Sequence, residues 1–274
     1  MKNNIFFYIV CMALMLSFQH VFAFEVDFCG DNLRWSYQGG GILVISGEGE
    51  MYDYDRSSKD YNGMKNVAPW YNFRAKIQHV VIEEGVRSIG NYAFYECGNL
   101  AHVDFSSTIK RIGKYAFGEC RKIDSLVIPN SVTMIQEYAF GNCNALENIV
   151  LPNKLRRIDD HVFFFCSKLT SIIIPPSVKE IGKFAFAYTD LSEITIPNTV
   201  THIGYSAFCA CTKLTYIIIP ASVTYMGEHP FYRCENIREI YYPKGLSFNT
   251  KEYPNFVKLI AYDRNNPPQR KIGK

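Results

Sequence analysis

Apolar residues recur along this chain with a period of about 23 residues. Each period is marked by a phenylalanine that usually follows an alanine, and five of the six intervals between these phenylalanines are 23 residues long, the other being 22. The phenylalanines are Phe94, Phe117, Phe140, Phe163, Phe186, Phe208 and Phe231. A fixed period in the twenties is typical of a solenoid, in which each period forms one coil that stacks on the next.

Each period also predicts one short strand and a second apolar pair. The strand has apolar residues at its first, fourth and sixth places, as in Leu146, Ile149 and Leu151, and a proline usually ends it. Proline does so because it lacks the backbone donor. The second pair lies three residues apart, as in Val132 and Ile135. One coil cannot shield all these residues from water, so the pattern predicts eight parallel strands stacked about 4.8 Å apart.

Two apolar segments before the first period predict a β-hairpin. Leu33 and Trp35 lie in the first segment, a run of three glycines follows, and Leu43 and Ile45 lie in the second. Such a hairpin would cap the open end of the first coil, which otherwise exposes core and an unpaired strand edge. The predicted divisions are residues 1 to 23 as a signal peptide, 24 to 76 as the N-terminal cap with its hairpin and loop, 77 to 243 as the repeats, and 244 to 274 as a C-terminal capping coil with a basic tail.

The repeated unit reads as PNSVTMIQEYAFGNCNALENIVLP from Pro129 onward. It resembles the BspA-like leucine-rich repeats of bacterial surface proteins over residues 77 to about 243, and CGDNLRWSYQGGGILVISGEGEM resembles the leading cap of that family. The resemblance implies a β-rich leucine-rich repeat solenoid with a parallel sheet on one face. It also implies adhesion to host matrix proteins, other cells or their glycans, without catalysis.

The N-terminus has the pattern of an export signal. Lys2 precedes an apolar run from Ile5 to Leu16, and Val21-Phe22-Ala23 gives the small-x-small pattern expected before cleavage. The run is shorter than the roughly twenty residues that a membrane helix needs, and no later segment predicts a transmembrane helix. We therefore expect an exported protein that is secreted or held at the cell surface, with the periplasm as the alternative.

The charge balance argues against nucleic acid as a partner. The chain has 29 Lys and Arg against 26 Asp and Glu, whereas nucleic-acid binders usually show a large basic excess. The one basic cluster covers residues 264 to 274, which we expect to be a solvated chain end.

The cysteines follow the repeat rather than the pairs of a disulfide framework. Eight remain after the predicted signal, an even count that allows disulfides in an exported protein. Six of them hold one repeat position, where parallel side chains suit a ladder of buried thiols better than the near-perpendicular disulfide torsion. A metal ladder would need paired spacing that is missing. Cys29 and Cys209 lie off the ladder and their redox state stays open, with Cys209 expected to be the more exposed.

No residue set in the sequence predicts catalysis or a cofactor. The histidines form no HExxH pair, and the three consecutive glycines lack the Lys-Ser/Thr of a phosphate loop. Asp53 and Asp55 could touch calcium, but neither the glycine nor the distant glutamate of a known loop accompanies them. We therefore predict neither an enzyme nor a metal protein.

The remaining candidate is the outward surface of the strands. Side chains alternate along a strand, so the third and fifth places of each strand point outward. The candidate binding residues are Val127, Val150, Ile173, Thr195, Tyr216, Ile218 and Tyr241. β-branched residues at such places are explained equally well by strand propensity. The function hypotheses are a secreted or surface module that binds a protein or glycan, and alternatively a non-catalytic structural or self-assembling repeat protein.

Overall fold

The computed structural model describes residues 27 to 55, 66 to 249, 251, 253 to 254 and 256 to 268, and the predicted signal peptide lies outside them. The strands are β1 (Asp27–Phe28), β2 (Leu33–Tyr37), β3 (Ile42–Gly47), β4 (His79–Ile82), β5 (Ser88–Ile89), β6 (His102–Asp104), β7 (Arg111–Ile112), β8 (Ser125–Val127), β9 (Met134–Ile135), β10 (Asn148–Val150), β11 (Arg157–Ile158), β12 (Glu180–Ile181), β13 (His202–Ile203), β14 (Tyr216–Ile218), β15 (Tyr225–Met226), β16 (Glu239–Pro243) and β17 (Lys258–Tyr262). A 3-10 helix covers Tyr71–Lys76.

The predicted hairpin cap is confirmed. β2 and β3 pair antiparallel, and the glycines at 39, 40 and 41 that join them all have positive φ, which glycine adopts without a Cβ clash. β3 then pairs parallel with β4, so the hairpin supplies the first strand of the solenoid sheet. Trp35 packs edge-on against Trp70, which stacks on Phe94 at 5.4 Å. The cap therefore continues both the sheet and the aromatic core of the repeats.

Two sides of each coil are built from the predicted strand and apolar pair. The pair forms a second, narrower sheet in which Ile89, Ile112 and Ile135 lie side by side in β5, β7 and β9. β11, β12, β13 and β15 continue in the same way further along the solenoid. The apolar places of the strands point inward, as Leu146 and Ile149 show by their burial. The solenoid fold predicted from the period is confirmed.

The main sheet is not the continuous eight-stranded ladder that the pattern predicts. Regular pairing joins β3, β4 and β6, then β8 and β10, then β14, β16 and β17. Between the last two groups only a single bridge joins Ile173 to Thr195. Thr195 belongs to the coil that is one residue shorter between Thr189 and Leu191, so the missing residue coincides with the loss of regular pairing.

The third side of each coil is a turn with an unusual backbone. In each coil two residues that are not glycine have φ between +50° and +63°. One lies two places before the marker phenylalanine and the other lies two places after it. In the coil of Phe140 these are Tyr138 and Asn142. Their backbone N–H groups, with that of Phe140, donate to carbonyls of the next coil at 2.7 to 3.1 Å. The left-handed residues thus serve to turn alternate N–H groups toward the neighbouring coil.

This backbone predicts a sharp difference between two substitutions of Asn142. Asn142→Val should lower the free energy of unfolding by about 1 to 2 kcal/mol, because a β-branched residue is disfavoured at positive φ. Asn142→Gly should stay within about 0.5 kcal/mol of the unaltered chain. Urea unfolding followed by circular dichroism measures both. Equal losses would mean that side-chain contacts of Asn142, and not its backbone, set its contribution.

The marker phenylalanines and the cysteines form two parallel ladders inside the coils. Successive phenylalanine rings from Phe94 to Phe231 stack with centroids 5.2 to 6.0 Å apart. Ladder thiols donate to the phenylalanine carbonyl of the preceding coil, as Cys143 does to Phe117 at 3.2 Å. Thr189 takes the cysteine place once, and its hydroxyl donates to Phe186 O at 2.8 Å.

No disulfide joins the cysteines within the described ranges, and all eight thiols there are buried. Cys209 is the more exposed of the two off-ladder thiols, as expected, but only 5% of its surface is accessible, against 0% for Cys29. Cys209 lies next to Ala187 and Ala210 in a small cluster outside the main core, which the rings of Phe164, Phe184 and Tyr188 cover. Aromatic side chains of neighbouring coils therefore bury Cys209, which lies outside the main core.

The C-terminal region closes the stack. β17 pairs parallel with β16, with Ile240 beside Leu259, so a last coil covers the final repeat. The expectation of a solvated chain end is wrong for Arg264, and residues 269 to 274 lie outside the described ranges. Arg264 donates to the carbonyls of Ala221, Val223 and Lys244, which fixes the chain where it leaves β17. None of the helical segments in the described part of the chain is long or apolar enough to span a bilayer.

Candidate functional site

The strand face, defined here as the outward third- and fifth-place residues of the main sheet, holds the seven predicted binding residues. The structure turns all seven away from the core, but their exposure differs along the solenoid. Val127, Val150 and Ile173 are 69%, 57% and 85% exposed. Thr195 is exposed as well. Tyr216, Ile218 and Tyr241 are half-buried. The stripe is therefore open over its first part and partly covered over its last.

The charges of the strand face are mixed. Its third and fifth places include Asp104, Glu193 and Glu239, and Lys258 of β17 lies in register beside Glu239. Glu193 is exposed and Glu239 is half-buried, where it accepts a hydrogen bond from Tyr241 Oη at 2.8 Å. Carboxylates outnumber cationic side chains at these places, but Lys258 offsets Glu239 at the C-terminal end.

Polar side chains occupy the end of the strand face nearest the cap. His79 Nε2 lies 2.8 Å from Asp104 Oδ2, and the rings of His79 and His102 meet edge-on at 6.1 Å. These residues are neighbours because β4 and β6 place them at adjacent outward positions. In the described ranges no group of three His, Cys, Asp or Glu side chains, here or elsewhere, is placed to hold a metal ion.

A groove of about 590 Å³ crosses the middle of the strand face. Val150, Ile173 and Thr195 line it, and Asn148, Ser171 and Glu193 add a polar edge. It lies where regular strand pairing gives way to the single bridge between Ile173 and Thr195. The break in the sheet therefore places the most exposed apolar residue of the stripe, Ile173, beside a depression rather than on a flat surface.

The other end of the strand face is partly covered by the C-terminal segment. Pro267 and Pro268 line a second groove together with Thr195, Tyr216 and Ile218. Pro268 also lines a third groove, which lies on the side of Tyr241. Four of the predicted binding residues thus share a groove with a piece of the chain itself, which sequence periodicity did not predict.

Sequence reasoning also missed an aromatic surface on the turn side, here called the turn face. It is formed by the residues two before, one after and two after each marker phenylalanine. One column of this face stacks with ring centroids 4.2 to 5.0 Å apart and contains Tyr92, Tyr115, Tyr138, His161 and Phe184. The signal was present in the aligned repeats, where aromatic residues recur two places before the phenylalanine in five successive coils.

The rings of the turn face use each other as partners. Phe164 meets His161, Phe184 and Tyr188 edge-on, and Phe165 stacks on Tyr188 at 4.3 Å. Burial in this column lowers the pKa of His161, so its ring is neutral near pH 7 and fits among the apolar rings. Because the stacked faces are already occupied, the turn face offers mainly ring edges to solvent. We interpret it as a stabilising surface of the solenoid.

Asp53, for which the sequence did not support a calcium loop, has a structural role. Its Oδ1 accepts the backbone N–H of Asn91 at 2.9 Å and the Arg111 guanidinium at 3.1 Å. These contacts join the segment after the hairpin to the first two coils. Asp53 is thereby engaged in holding the cap to the repeats.

Comparison with protein families decides what kind of repeat this is. The model of the BspA-type leucine-rich repeat region matches in six copies, over residues 69–183 and 134–256, which together exceed half of the chain. The chain belongs to the BspA-type leucine-rich repeat family. The repeat of this family is a protein-interaction fold, and its members are often bacterial surface proteins.

Solved structures similar to this BspA-type chain include leucine-rich repeat proteins from three bacteria. One from Bacteroides ovatus is 23% identical, covering 86% of this chain and 78% of that one, with a TM-score of 0.45. A leucine-rich cell surface protein from Faecalibacterium prausnitzii is 19% identical, with coverages of 86% and 94% and a TM-score of 0.40. One from Eubacterium ventriosum is 22% identical, with coverages of 86% and 83% and a TM-score of 0.39. A search of curated proteins gave no match.

Proposed function

We propose that this protein is an exported, non-catalytic binding module whose strand face captures a protein or glycan at a cell surface or in host matrix. Residues 1 to 23 act as a cleaved signal peptide in this proposal, and the repeats act as the binding domain. Adhesion is the role that the family resemblance implies. No cofactor, metal or nucleic acid takes part.

The observation that carries the proposal is the open apolar stripe of Val127, Val150 and Ile173. Most valines and isoleucines among the described residues lie in the core, yet 85% of the surface of Ile173 is exposed to water. Isolated exposed apolar residues are ordinary on soluble proteins. A row of them beside a groove of about 590 Å³ has the features of an interface, because anchor side chains next to concave surface supply most binding energy.

The test substitutes one residue of the stripe and one matched residue elsewhere. Ile173→Lys should weaken capture at least tenfold, because it replaces an apolar anchor with a hydrated charge. The full chain would be exported from a bacterial host, its intact mass compared with that expected for cleavage after Ala23, and the product applied to immobilised matrix proteins and glycans.

The matched control is Met134→Lys, which adds the same charge at a 49% exposed residue of β9 on another side of the coil. Both sites are exposed, so both variants should fold with changes of about 0.5 kcal/mol or less, checked by circular dichroism. Equal capture by the two variants would contradict a strand-face site. A product that binds nothing but oligomerises with concentration would favour the alternative, a structural or self-assembling repeat protein.

A further inference from the structure

The C-terminal segment after β17 is anchored beside the strand face by several independent contacts. Tyr262 Oη donates to Ile219 O, and the Arg264 guanidinium donates to carbonyls of two neighbouring coils. A tight turn follows, in which Asn266 N donates to Asp263 O at 2.8 Å. These anchors direct the chain back over β16 toward β14 rather than away from the solenoid.

The part of the segment that reaches the strand face is extended. Pro267 and Pro268 each have φ fixed near −65°, and the residue before a proline is restricted to extended conformations. Consecutive prolines therefore present a polyproline-type strand that loses little entropy on binding. The two prolines line one groove with Tyr216 and Ile218, and Pro268 also borders the groove of Tyr241. Aromatic-lined grooves are the surfaces that such strands recognise.

The grooves continue beyond the segment. The groove that holds Pro267 and Pro268 shares Ile194, Thr195 and Pro197 with the groove of about 590 Å³ beside Ile173. The two grooves are therefore adjacent along the strand face. The seated prolines occupy one end of a longer track.

The charges along this track are mixed. Glu239 borders the track near Tyr241 together with Arg238, and Glu193 borders it near Ile173. Among the described residues of the segment the one cation is Arg264, and its guanidinium donates to backbone carbonyls. The fit of the segment therefore rests on its two prolines and the shape of the groove.

We infer that the strand face recognises an extended, proline-containing segment of a partner protein, and that residues 264 to 268 occupy its place until the partner displaces them. This inference rests on the proposed strand-face function and names the chemistry of its partner. The tethered segment competes at an effective concentration in the millimolar range, so it sets a threshold that a partner must exceed.

The test uses the full chain and a labelled peptide with the sequence of residues 263 to 274. The variant Pro267→Ser/Pro268→Ser releases the tethered segment while keeping β17 and Arg264. Fluorescence anisotropy should show at least tenfold tighter peptide binding to this variant than to the unaltered chain, because the internal competitor is lost. Ile218→Lys in the released variant should abolish that binding, and a peptide with both prolines replaced by Ser should not bind.

A further variant guards against misfolding. Pro176→Ser changes an exposed proline away from the segment, so it should leave the peptide affinity of the otherwise unaltered chain unchanged. Circular dichroism would confirm the fold of each variant.

The outcomes separate this inference from the proposed function. Absence of peptide binding to the released variant up to about 1 mM, the range of the tethered competitor, overturns the inference. The inference would also be overturned if the unaltered chain and the released variant captured a partner equally well and Ile173→Lys abolished capture by both. The proposed function would then stand. Peptide binding without capture of any matrix protein or glycan would support it and reject the adhesive function. Dimerisation that depends on Pro267 and Pro268 would show that the segment binds the strand face of a second copy of the chain, and would overturn the assignment of a partner protein.

Discussion

Phe140→Ala is expected to lower the free energy of unfolding by about 3 to 5 kcal/mol, the usual cost of deleting a buried aromatic ring. Phe140 is fully buried and lies between Phe117 at 5.6 Å and Phe163 at 6.0 Å, with all three rings nearly parallel. Its removal opens a cavity between two coils, and the rigid turn on either side limits how far they can close it. Urea unfolding followed by far-UV circular dichroism measures the loss.

The position of Phe140 near the middle of the array adds a second expectation. Each coil contacts mainly its neighbours, so a weak interface can divide the solenoid into halves that unfold separately. Phe140→Ala should therefore also broaden the transition or lower its denaturant slope, since less surface is exposed in each step.

The control for this prediction is Phe165→Ala. Phe165 lies in the turn of the next coil, is 37% exposed, and stacks on the ring of Tyr188 outside the inner ladder. Its loss should cost about 1 kcal/mol or less. A cost for Phe140→Ala no larger than that for Phe165→Ala would mean that the inner ladder does not carry the stability of the array.

The repeat pattern predicted the fold because the same contact is made again in every coil. Phe140, Leu146 and Ile149 are buried for the same reason as their equivalents, so seven copies reinforce one interpretation. The hairpin could also be predicted, since its three glycines fit only a turn that needs positive φ.

Features that break the repeat could not be predicted in this way. The gap in strand pairing near Thr195 depends on how a coil shortened by one residue sits on its neighbours. The placement of Pro267 and Pro268 depends on anchors from Arg264 to carbonyls more than forty residues away in the sequence. Such contacts leave no period in the sequence.

The turn face was missed for a different reason. Tyr138 and its equivalents lie outside the strand and outside the buried places, so the pattern gave them no partner. The left-handed backbone at these residues turns their rings along the solenoid axis, where each ring meets its equivalent in the next coil. Recurrence of aromatic residues at one outward place was therefore the available signal, and it indicated stacking rather than solvent exposure.

The folded chain is expected to lose stability steeply as pH rises above about 9. Burial raises the pKa of Cys97 and of Cys143 to about 12, and raises the pKa of Cys120 and Cys166 well above the ordinary value. The thiols of the unfolded chain ionise near their ordinary pKa of 9.0. Above that pH the unfolded state binds fewer protons than the folded state, so unfolding becomes more favourable with each pH step.

The sign and window of this effect follow from the raised pKa values. The stabilisation that protonated, buried thiols provide is fully present below pH 9 and is lost progressively between about 9 and 12. Each thiol that titrates only in the unfolded chain contributes a slope of about 1.4 kcal/mol per pH unit. Several such thiols act together, so the described ladder can dominate the alkaline limit of stability.

Cys143→Ser isolates one thiol from the other titrating groups. Serine keeps the donor to Phe117 O in nearly the same shape but does not ionise in this range, whereas the phenols of Tyr115 and Tyr138, whose pKa values burial also raises, stay in both chains. The free energy of unfolding would be measured with urea at pH 7, 9, 10 and 11 in the presence of a reductant. Above pH 9 it should fall less steeply for the variant than for the unaltered chain, by about 1.4 kcal/mol per pH unit. Parallel curves for the two chains would mean that Cys143 reaches solvent in the folded state, which would contradict the buried thiol ladder that the repeat period predicts.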